Sequence, residues 1–339
     1  MNIPLPLRLL LWPFSVVYGV AARLHAWLYA QGIYSRKHLN APVVSVGNLT
    51  VGGTGKTPMV LWLAEKFLGE HKRVAILTRG YRGTGGTSDE VEMMKERLGD
   101  RVIFGVGPDR YKEGKRIEAE HPINLFLLDD GFQHLELIRD VDIVLLDWSP
   151  LPSARSLLPA GSMREPLSAL RRATAVVLTR VPSDSPGTAE MQLIQKFANV
   201  QTFCAETKLL GYRGVNCGEK TPAAGEAVPP QPVFAFCGIG NPDAFFSDLQ
   251  NWGVEVVGRK VFRDHHAYTA HDVKTLQEDA QQGGAKALLT TEKDIQNLKK
   301  LRFLKLPLYC CKIAIETRDG EALCALIKKK IGLRPGAAE

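Results

Sequence analysis

The stretch Asn48-Leu-Thr-Val-Gly-Gly-Thr-Gly-Lys-Thr-Pro58 is a glycine-rich loop that contains Gly-Lys-Thr and lies between two apolar segments. The run Val43-Val-Ser-Val46 before it predicts a β-strand, and the apolar-periodic segment 59–67 after it predicts a helix. In the order strand, glycine loop, helix, successive backbone N–H groups form an anion-binding nest at the helix N-terminus, and a lysine reaches the outer phosphates. The stretch therefore predicts a nucleotide-phosphate site.

Within this loop we predict that Lys56 contacts the phosphates and that the Thr57 hydroxyl holds Mg²⁺. The usual pattern has glycine six residues before the lysine, where this chain has Thr50, so the loop is a variant. An ordinary strand–turn–helix junction is the alternative, and three glycines ahead of Lys-Thr favour the nucleotide. The predicted phosphate cradle consists of Thr50, Val51, Gly52, Gly53, Thr54, Gly55, Lys56 and Thr57.

A second apolar strand, Ile123-Asn-Leu-Phe-Leu-Leu128, ends in Asp129 and Asp130. A carboxylate at the carboxyl end of such a strand lies beside the phosphate loop and holds Mg²⁺ directly or through water. Two successive aspartates are costly there unless a cation neutralises them. Asp129 is therefore predicted as a magnesium ligand. Gln133 and His134, just beyond, either orient neighbouring groups or only end the turn.

Two further acidic positions have a purely structural interpretation. Thr87-Ser-Asp-Glu90 is a helix-start signature with Ser88 or Asp89 as the cap. Asp89 either caps the helix or acts as a base from a flexible loop, and the residues alone favour the cap. Glu165, preceded by Arg164 and followed by Pro166, reads as half of a surface ion pair.

Asp264-His265-His266 is the one place where histidines cluster. A metal site is one interpretation, but no third imidazole or cysteine stands at ligand spacing. A loop histidine oriented by a carboxylate fits a proton acceptor, or an imidazolium partner of one, better.

The alternation of short apolar strands with helices predicts an α/β fold, a doubly wound, mostly parallel sheet of the P-loop NTPase type with a second, smaller α/β domain. The stretch 218–232, rich in glycine, proline and alanine, suggests a boundary. The predicted parts are an N-terminal helix (1–31), a P-loop domain (32–202), a two-stranded linker (203–216 and 306–316) and a C-terminal α/β domain (217–335).

The chain has 339 residues and a formal net charge of +7, which favours an anionic partner: nucleic acid, an acidic membrane surface or a phosphorylated substrate. Its six cysteines show no Cys-x-x-Cys spacing, which argues against a disulfide framework or a zinc site. Reduced, buried thiols in a cytosolic protein are expected instead.

The N-terminal segment is apolar and basic. Fourteen uncharged residues separate Arg8 from Arg23, and no acidic residue precedes Glu65. Fourteen residues are too few to span a bilayer, which needs about twenty. The segment is therefore predicted to be an interfacial helix with aromatic residues at headgroup depth, or alternatively a helix packed on the chain's own core.

Taken together, the motifs resemble one family, the tetraacyldisaccharide 4′-kinases, which are the lipid A 4′-kinases of Gram-negative bacteria. The resemblance covers nearly the whole chain and includes the variant phosphate loop with Thr50. Its eight motifs are 46–58, 78–83, 88–90, 128–134, 158–167, 238–242, 264–266 and 290–294.

The resemblance implies ATP- and Mg²⁺-dependent phosphorylation of the 4′-hydroxyl of an acylated glucosamine disaccharide 1-phosphate to give lipid IVA. It implies a peripheral enzyme on the cytoplasmic face of the inner membrane, bound to anionic lipid, with no nucleic acid and no required protein partner. Asp89 becomes the catalytic base and His265 its partner, and Lys56 and Asp130 complete the catalytic set. The substrate-binding residues are then Arg79, Gln133, His134, Arg164 and Glu165.

Two rival classes are weaker. A P-loop GTPase or metallochaperone would need a guanine-reading Asn-Lys-x-Asp, and Thr291-Glu-Lys-Asp294 does not match it because the lysine falls one place late. A soluble kinase for a small sugar would leave the apolar N-terminus unexplained.

Overall fold

The structure is a computed structural model that describes residues 4–80, 88–148, 156–181, 188–215, 228–299, 301–303 and 305–332. Its backbone contacts divide the chain into two compact units. The first contains Met1–Gly80, Leu98–Glu206 and Ile315–Glu339, and the second contains Tyr81–Arg97 and Thr207–Ala314.

Helices and strands alternate along most of the described chain. In chain order they are α1 (Leu5–Ala30), β1 (Val43–Asn48), α2 (Lys56–Gly69), β2 (Val74–Thr78), α3 (Asp89–Leu98), β3 (Val102–Val106), α4 (Arg110–Glu120), β4 (Leu125–Asp129), β5 (Val141–Asp147), β6 (Ala175–Thr179), α5 (Thr188–Phe197), β7 (Gln201–Val215), β8 (Val233–Cys237), α6 (Pro242–Asn251), β9 (Val256–Val261), α7 (Ala270–Gln282), β10 (Ala287–Thr291), α8 (Glu292–Leu298), β11 (Leu308–Thr317) and α9 (Gly320–Gly332).

The sheet of the first unit has the strand order β3-β2-β4-β1-β5-β6-β7, and its neighbours pair in parallel. Strand β1 lies between β4 and β5, with Val46 opposite Asp129 of β4. Every residue of β1, β2, β4, β5 and β6 is buried. The chain proceeds from β1 to strands on one side of it and later to strands on the other, so β1 marks the switch point where open α/β sheets bind ligands.

The second unit is a smaller α/β sheet with the order β11-β10-β8-β9, again paired in parallel. One apolar core of this unit packs Phe236, Leu276 and Leu288 together. The predicted fold class, a mostly parallel α/β sheet with a second α/β part, is confirmed.

The two long strands β7 and β11 each have residues in both units. They cover most of the predicted linker. Of the stretch 218–232, where the boundary was expected, residues 218–227 lie outside the described part of the chain. The two units differ from the predicted domains in two places. Residues 315–339 belong to the first unit, and residues 81–97, which include Asp89, belong to the second. The domain limits stay a prediction.

Helix α1 is longer than the apolar count in the sequence suggests. It runs for 26 residues, about 39 Å at 1.5 Å per residue, and includes both Arg8 and Arg23. By length and composition alone it is long and apolar enough to cross a membrane, a test that a signal sequence also passes. The exclusion of a membrane span on length was therefore wrong.

One face of α1 is bonded to the first unit. Ser15 Oγ donates to Leu157 O and accepts from Ala160 N, each at 2.9 Å. Arg8 Nη2 donates to Ser156 Oγ at 2.8 Å. In α1 only Ser15 and Gly19 are buried by the described residues, so the helix contacts the first unit along one narrow face.

The described cysteines are free, buried thiols, as the sequence predicts. Cys217 lies outside the described residues. Burial raises the pKa of Cys310 to about 11, so this thiol stays protonated at neutral pH.

Strand β1 approaches the turn after β4 too closely for a side chain at Gly47. A Cβ there would lie 2.5 Å from Phe132 Cβ and 2.8 Å from the Phe132 backbone nitrogen. We expect Gly47→Ala to destabilise the protein by about 1–3 kcal/mol because the core must shift to admit the methyl group. A thermal unfolding midpoint measures this. Gly69→Ala is the control, since a Cβ there meets nothing within 4 Å, and equal midpoints for the two variants would contradict the prediction.

Candidate active site

The glycine-rich loop joins β1 directly to α2. Gly55, just before the first helical residue, has φ +86°, a left-handed conformation that glycine adopts without strain. Asn48 Nδ2, at the end of β1, donates to Thr54 Oγ1 at 2.9 Å, and Thr179 Oγ1 donates to Thr54 O at 3.2 Å. These bonds fix the loop against the ends of β1 and β6, so the N-terminus of α2 is held at the carboxyl edge of the sheet.

The first two residues of the predicted cradle are engaged by another segment. Thr50 is only 3% exposed and forms an antiparallel bridge with Met163, and the Val51 N–H donates to Ser162 O at 2.8 Å. This gives a physical reason for threonine in place of glycine at position 50, because the chain is extended and paired there. The backbone N–H of Val51 is used within the protein.

Arg180, at the end of β6, also contacts the loop. Its Nη2 donates to Gly53 O at 3.1 Å, and its Nη1 donates to Asp147 Oδ2 at 2.6 Å. The sequence predicts Arg180 at the end of a strand and indicates no role for it. Its predicted position at the carboxyl end of a parallel strand, the edge where the glycine loop also lies, was the one sequence feature that pointed to the site.

Lys56, Asp130 and Arg164 form one charged cluster. Lys56 Nζ lies 3.6 Å from Asp130 Oδ1, and Arg164 Nη1 donates to both carboxylate oxygens of Asp130 at 2.8 Å. Burial would raise the pKa of Asp130, but the charges of Lys56 and Arg164 outweigh it and lower that pKa. Asp130 is therefore ionised, and two cations are gathered around it beside the glycine loop.

Asp129 ends β4 opposite β1 and is 3% exposed. Thr78 Oγ1 donates to its Oδ2 at 3.3 Å. Thr57 follows Lys56 in the first turn of α2. Carboxylate and hydroxyl oxygens are hard donors, and Mg²⁺ commonly takes only one or two such protein ligands, with phosphates and water completing its shell. The donor set formed by Thr57 and Asp129 thus fits Mg²⁺.

A hydrogen-bond network extends from the Lys56–Asp130–Arg164 cluster to Gln133, Glu165 and Arg172. Gln133 Nε2 donates to Asn48 O at 3.0 Å and to Glu165 Oε1 at 3.1 Å, and Arg172 Nη2 donates to both oxygens of Glu165 at 2.9 Å. Glu165 is buried. The interpretation of residues 164 and 165 as a surface ion pair was wrong, because each pairs with a different residue. Arg172 was missed by the sequence analysis.

His134 and Arg79 lie near Arg110, the first residue of α4. Burial, with a smaller effect from the Arg110 charge, lowers the pKa of His134 to about 4, so its imidazole is neutral at physiological pH. Burial and then the charge of Arg79 lower the pKa of Arg110. Arg79 itself is exposed. Arg110 adds a buried positive charge near Asp129 and Asp130.

In the second unit Asp89 is paired with His265. Both carboxylate oxygens lie 3.0 Å from His265 Nδ1. Ser88 Oγ accepts from Val91 N at 3.3 Å and so caps α3. Of the two predicted cap residues, Ser88 is therefore the one that caps α3. Asp89 Oδ1 accepts from Glu90 N at 3.0 Å, and both Asp89 oxygens also lie against His265.

His265 is held in an uncommon backbone conformation, with φ 58°, and its N–H donates to Gly238 O at 3.2 Å. A left-handed non-glycine residue costs of order 1–3 kcal/mol and is typical of functional sites. His266 is turned elsewhere: its Nε2 lies 3.2 Å from Asp272 Oδ2, and its ring stacks on Phe262. Within the described residues no cluster of three or more metal-ligating acids, histidines or cysteines exists, so the metal interpretation gains no support.

The first unit, with a glycine loop before a helix and two acidic residues at the end of the neighbouring parallel strand, defines a P-loop nucleotide-binding protein. A family model described as tetraacyldisaccharide-1-P 4′-kinase (LpxK) matches residues 7–332. The chain belongs to this family, and it is a kinase of lipid A biosynthesis.

Individual relatives agree. A tetraacyldisaccharide 4′-kinase of Geobacter sulfurreducens is 37% identical over 346 residues, covering 93% of this chain and 91% of the relative. One from Geobacter metallireducens is 39% identical over 306 residues, covering 85% and 88%. A crystal structure of "apo" form LpxK from Aquifex aeolicus in complex with ATP has a TM-score of 0.71 at 31% identity, covering 96% of this chain and 99% of that one. Neither rival class is favoured.

Proposed function

We propose that this protein transfers the γ-phosphoryl group of ATP to the 4′-hydroxyl of an acylated glucosamine disaccharide 1-phosphate, giving lipid IVA. The observation that carries the proposal is the cluster of Lys56, Arg164 and ionised Asp130 beside a glycine loop, in a chain of this family. The rest of the proposal assigns roles to the described residues.

On the donor side, Lys56 and the N–H groups at the start of α2 bind the β- and γ-phosphates. Because phosphoryl transfer needs positioning and charge neutralisation more than covalent chemistry, the clustered cations are the main contribution of the protein. Asp130 holds Lys56 and Arg164 in place before the nucleotide arrives. Arg79, Gln133, His134 and Glu165 belong to the substrate-binding surface of the same unit.

Thr57 and Asp129 are the residues that would hold Mg²⁺. The chemistry that Mg²⁺ would supply there is neutralisation of the charge that develops on the phosphates. The buried position of Asp129 at the end of β4, with a hydrogen bond from Thr78 to orient one oxygen, keeps a carboxylate directed at the carboxyl edge of the sheet.

On the acceptor side, Asp89 is the general base. The substrate O4′ attacks the γ-phosphorus, the bond from that phosphorus to the bridging β,γ-oxygen breaks, and the hydroxyl proton passes to the Asp89 carboxylate. Burial would raise the pKa of Asp89, but the hydrogen bond from His265 and the charge of Lys293 outweigh it and lower that pKa. Asp89 is therefore ionised and ready to accept a proton at neutral pH.

Phosphate transfer from radiolabelled ATP to the acylated disaccharide 1-phosphate, compared with free glucosamine and unacylated disaccharide, tests the function. Label is expected only in the acylated acceptor. Equal transfer to free sugar would favour a soluble sugar kinase, and hydrolysis of GTP without transfer would favour the GTPase class.

The protein acts as a peripheral enzyme on the cytoplasmic face of the inner membrane, with α1 in the interface. One side of α1 is bonded to residues 156–160, while Leu10 and Val17 are each 68% exposed. A contiguous apolar face of this kind, flanked by arginines, fits the boundary between acyl chains and anionic headgroups. It brings the site to a substrate whose acyl chains lie in the leaflet, and the positive charge of the chain serves lipid and phosphate, not nucleic acid.

We expect Leu10→Glu combined with Val17→Glu to weaken cosedimentation with vesicles containing anionic lipid, because both charges would have to enter the apolar layer. Ser15→Ala is the matched control, since it alters the bonded face and leaves both the apolar face and the arginines intact. Activity on a detergent-dispersed substrate reports whether the variants remain folded. Unchanged sedimentation of the glutamate variant would refute the interfacial role.

A further inference from the structure

Lys293 contacts the Asp89–His265 pair from the side opposite Asp89. It lies in the first turn of α8, and its side chain is mostly buried. Its Nζ is 3.3 Å from His265 Nε2, 3.0 Å from Asp264 Oδ1 and 3.3 Å from Glu90 Oε1. The imidazole of His265 is thus flanked by a carboxylate at Nδ1 and an ammonium group at Nε2.

The next residue, Asp294, fixes the base of the same arrangement. It is 2% exposed, and its Oδ1 accepts from Gly238 N at 2.9 Å and from the Tyr268 hydroxyl at 2.8 Å. Gly238 O in turn accepts from the backbone N–H of His265. Lys293 and Asp294 therefore hold His265 at its ring and through its backbone, so the position of α8 determines where the imidazole lies.

The proton positions follow from the donor chemistry. A lysine ammonium group has three N–H donors and no acceptor. Burial would lower the pKa of Lys293, but the charges of Glu90, Asp264 and Asp89 outweigh it and raise that pKa, so the group is charged. A ring nitrogen that accepts from it carries no proton. The hydrogen bond to Asp89 raises the pKa of His265, while burial and the charge of Lys293 oppose this. In the neutral ring the proton is then on Nδ1 and is donated to Asp89.

Without Lys293, the carboxylate of Asp264 would favour a proton on His265 Nε2, the nitrogen that Lys293 keeps unprotonated. Its Oδ1 lies 3.8 Å from His265 Nε2, too far for a hydrogen bond while Lys293 Nζ contacts both atoms. If the ammonium group were removed, this carboxylate would favour a proton on Nε2. The ring would become an imidazolium between Asp89 and Asp264, and its full positive charge would make Asp89 a weaker base.

We propose that Lys293 is a positioning residue that fixes the tautomer of the neutral His265 ring, with the proton on Nδ1, and so keeps an N–H donor against the Asp89 carboxylate. Its significance for catalysis rests on the proposed roles of Asp89 and His265, whereas the tautomer itself can be measured without turnover.

The test uses the full-length protein with ¹⁵N-labelled histidine, and His265→Gln identifies the His265 signals. In the unmodified protein, above the titration midpoint, we expect a pyrrole-type nitrogen at Nδ1 and a pyridine-type nitrogen at Nε2. In Lys293→Met the midpoint is expected to move to higher pH, because a cation facing the ring is lost and Asp264 is released. Lys293→Arg, which keeps the charge, should retain the original tautomer.

A second substitution separates this effect from misfolding. Lys293→Met combined with Asp264→Asn removes the competing carboxylate and is expected to return the midpoint toward its original pH. A titration midpoint that is unchanged, or lower, in Lys293→Met overturns the inference. So does a wild-type signal showing the proton on Nε2.

Kinetics connect the tautomer to the reaction. In Lys293→Met, kcat near neutral pH should fall about tenfold with little change in the KM for ATP, and should recover at higher pH as the imidazolium loses its proton. A purely structural role would give a pH-independent loss and would overturn the inference. If the NMR midpoint moves but kcat is retained both here and in Asp89→Asn, the proposed function of the pair fails while the assignment of the tautomer stands.

Discussion

Replacement of Lys56 by methionine is expected to lower kcat about 10³-fold, the scale of losing one preorganised charge from a phosphoryl-transfer site. Methionine keeps the length and apolar stem of the side chain but removes the ammonium group that neutralises the transferred phosphoryl. Asp130 retains its two contacts with Arg164, so the local structure keeps one cation against this carboxylate. A steady-state assay with ATP and the acylated disaccharide measures the loss.

Lys66→Met on the same helix is the control for Lys56→Met. Lys66 lies in the last turn of α2 with its Nζ over the Trp62 ring, away from the glycine loop at the other end of the helix. Its replacement should leave kcat unchanged. Near-normal turnover in Lys56→Met, with an unfolding midpoint like that of the unmodified protein, would remove the phosphate-binding role of Lys56.

Replacement of Asp89 by asparagine is expected to lower kcat about 10²–10⁴-fold, the usual contribution of a general base. Asparagine occupies nearly the same volume but cannot take the hydroxyl proton. The KM for ATP should change little, because the proposed role concerns the acceptor in the transition state. An effect confined to KM would instead indicate a binding role for Asp89.

Ser88→Ala separates the helix cap from the base. Ser88 caps α3 through Val91 N, so its loss should cost about 1 kcal/mol of stability while kcat is kept.

Asp89 also affects the stability of the protein at acidic pH. Its pKa is lowered in the folded protein, so its contribution to stability is present above its unfolded pKa of about 3.9 and is lost as the pH falls through the folded pKa. Asp89→Asn should therefore reduce the difference in stability between neutral and acidic pH.

The nucleotide side of the proposed site rests on local patterns of the sequence. The glycine loop, Lys56 and the pair Asp129-Asp130 are recognisable because each follows a short buried strand, and parallel strands bring their carboxyl ends to one edge. Sequence patterns were less informative about the role of a residue when two roles use the same residue type. Asp89 fits a helix start as well as a general base. Only the folded structure shows that the Val91 N–H donates to Ser88 Oγ, which identifies Ser88 as the cap of α3.

The sequence by itself determined the α/β class, the phosphate loop and the family, since these depend on residues that are close in the chain and on backbone geometry that such residues impose. Tertiary structure alone decided the side-chain partners. His265 meets Asp89 across 176 positions, Lys293 meets His265 across 28, and Glu165 pairs with Arg172 and not with its neighbour Arg164. A hydrogen bond acts over about 3 Å, and only the packing of distant segments determines which groups come that close.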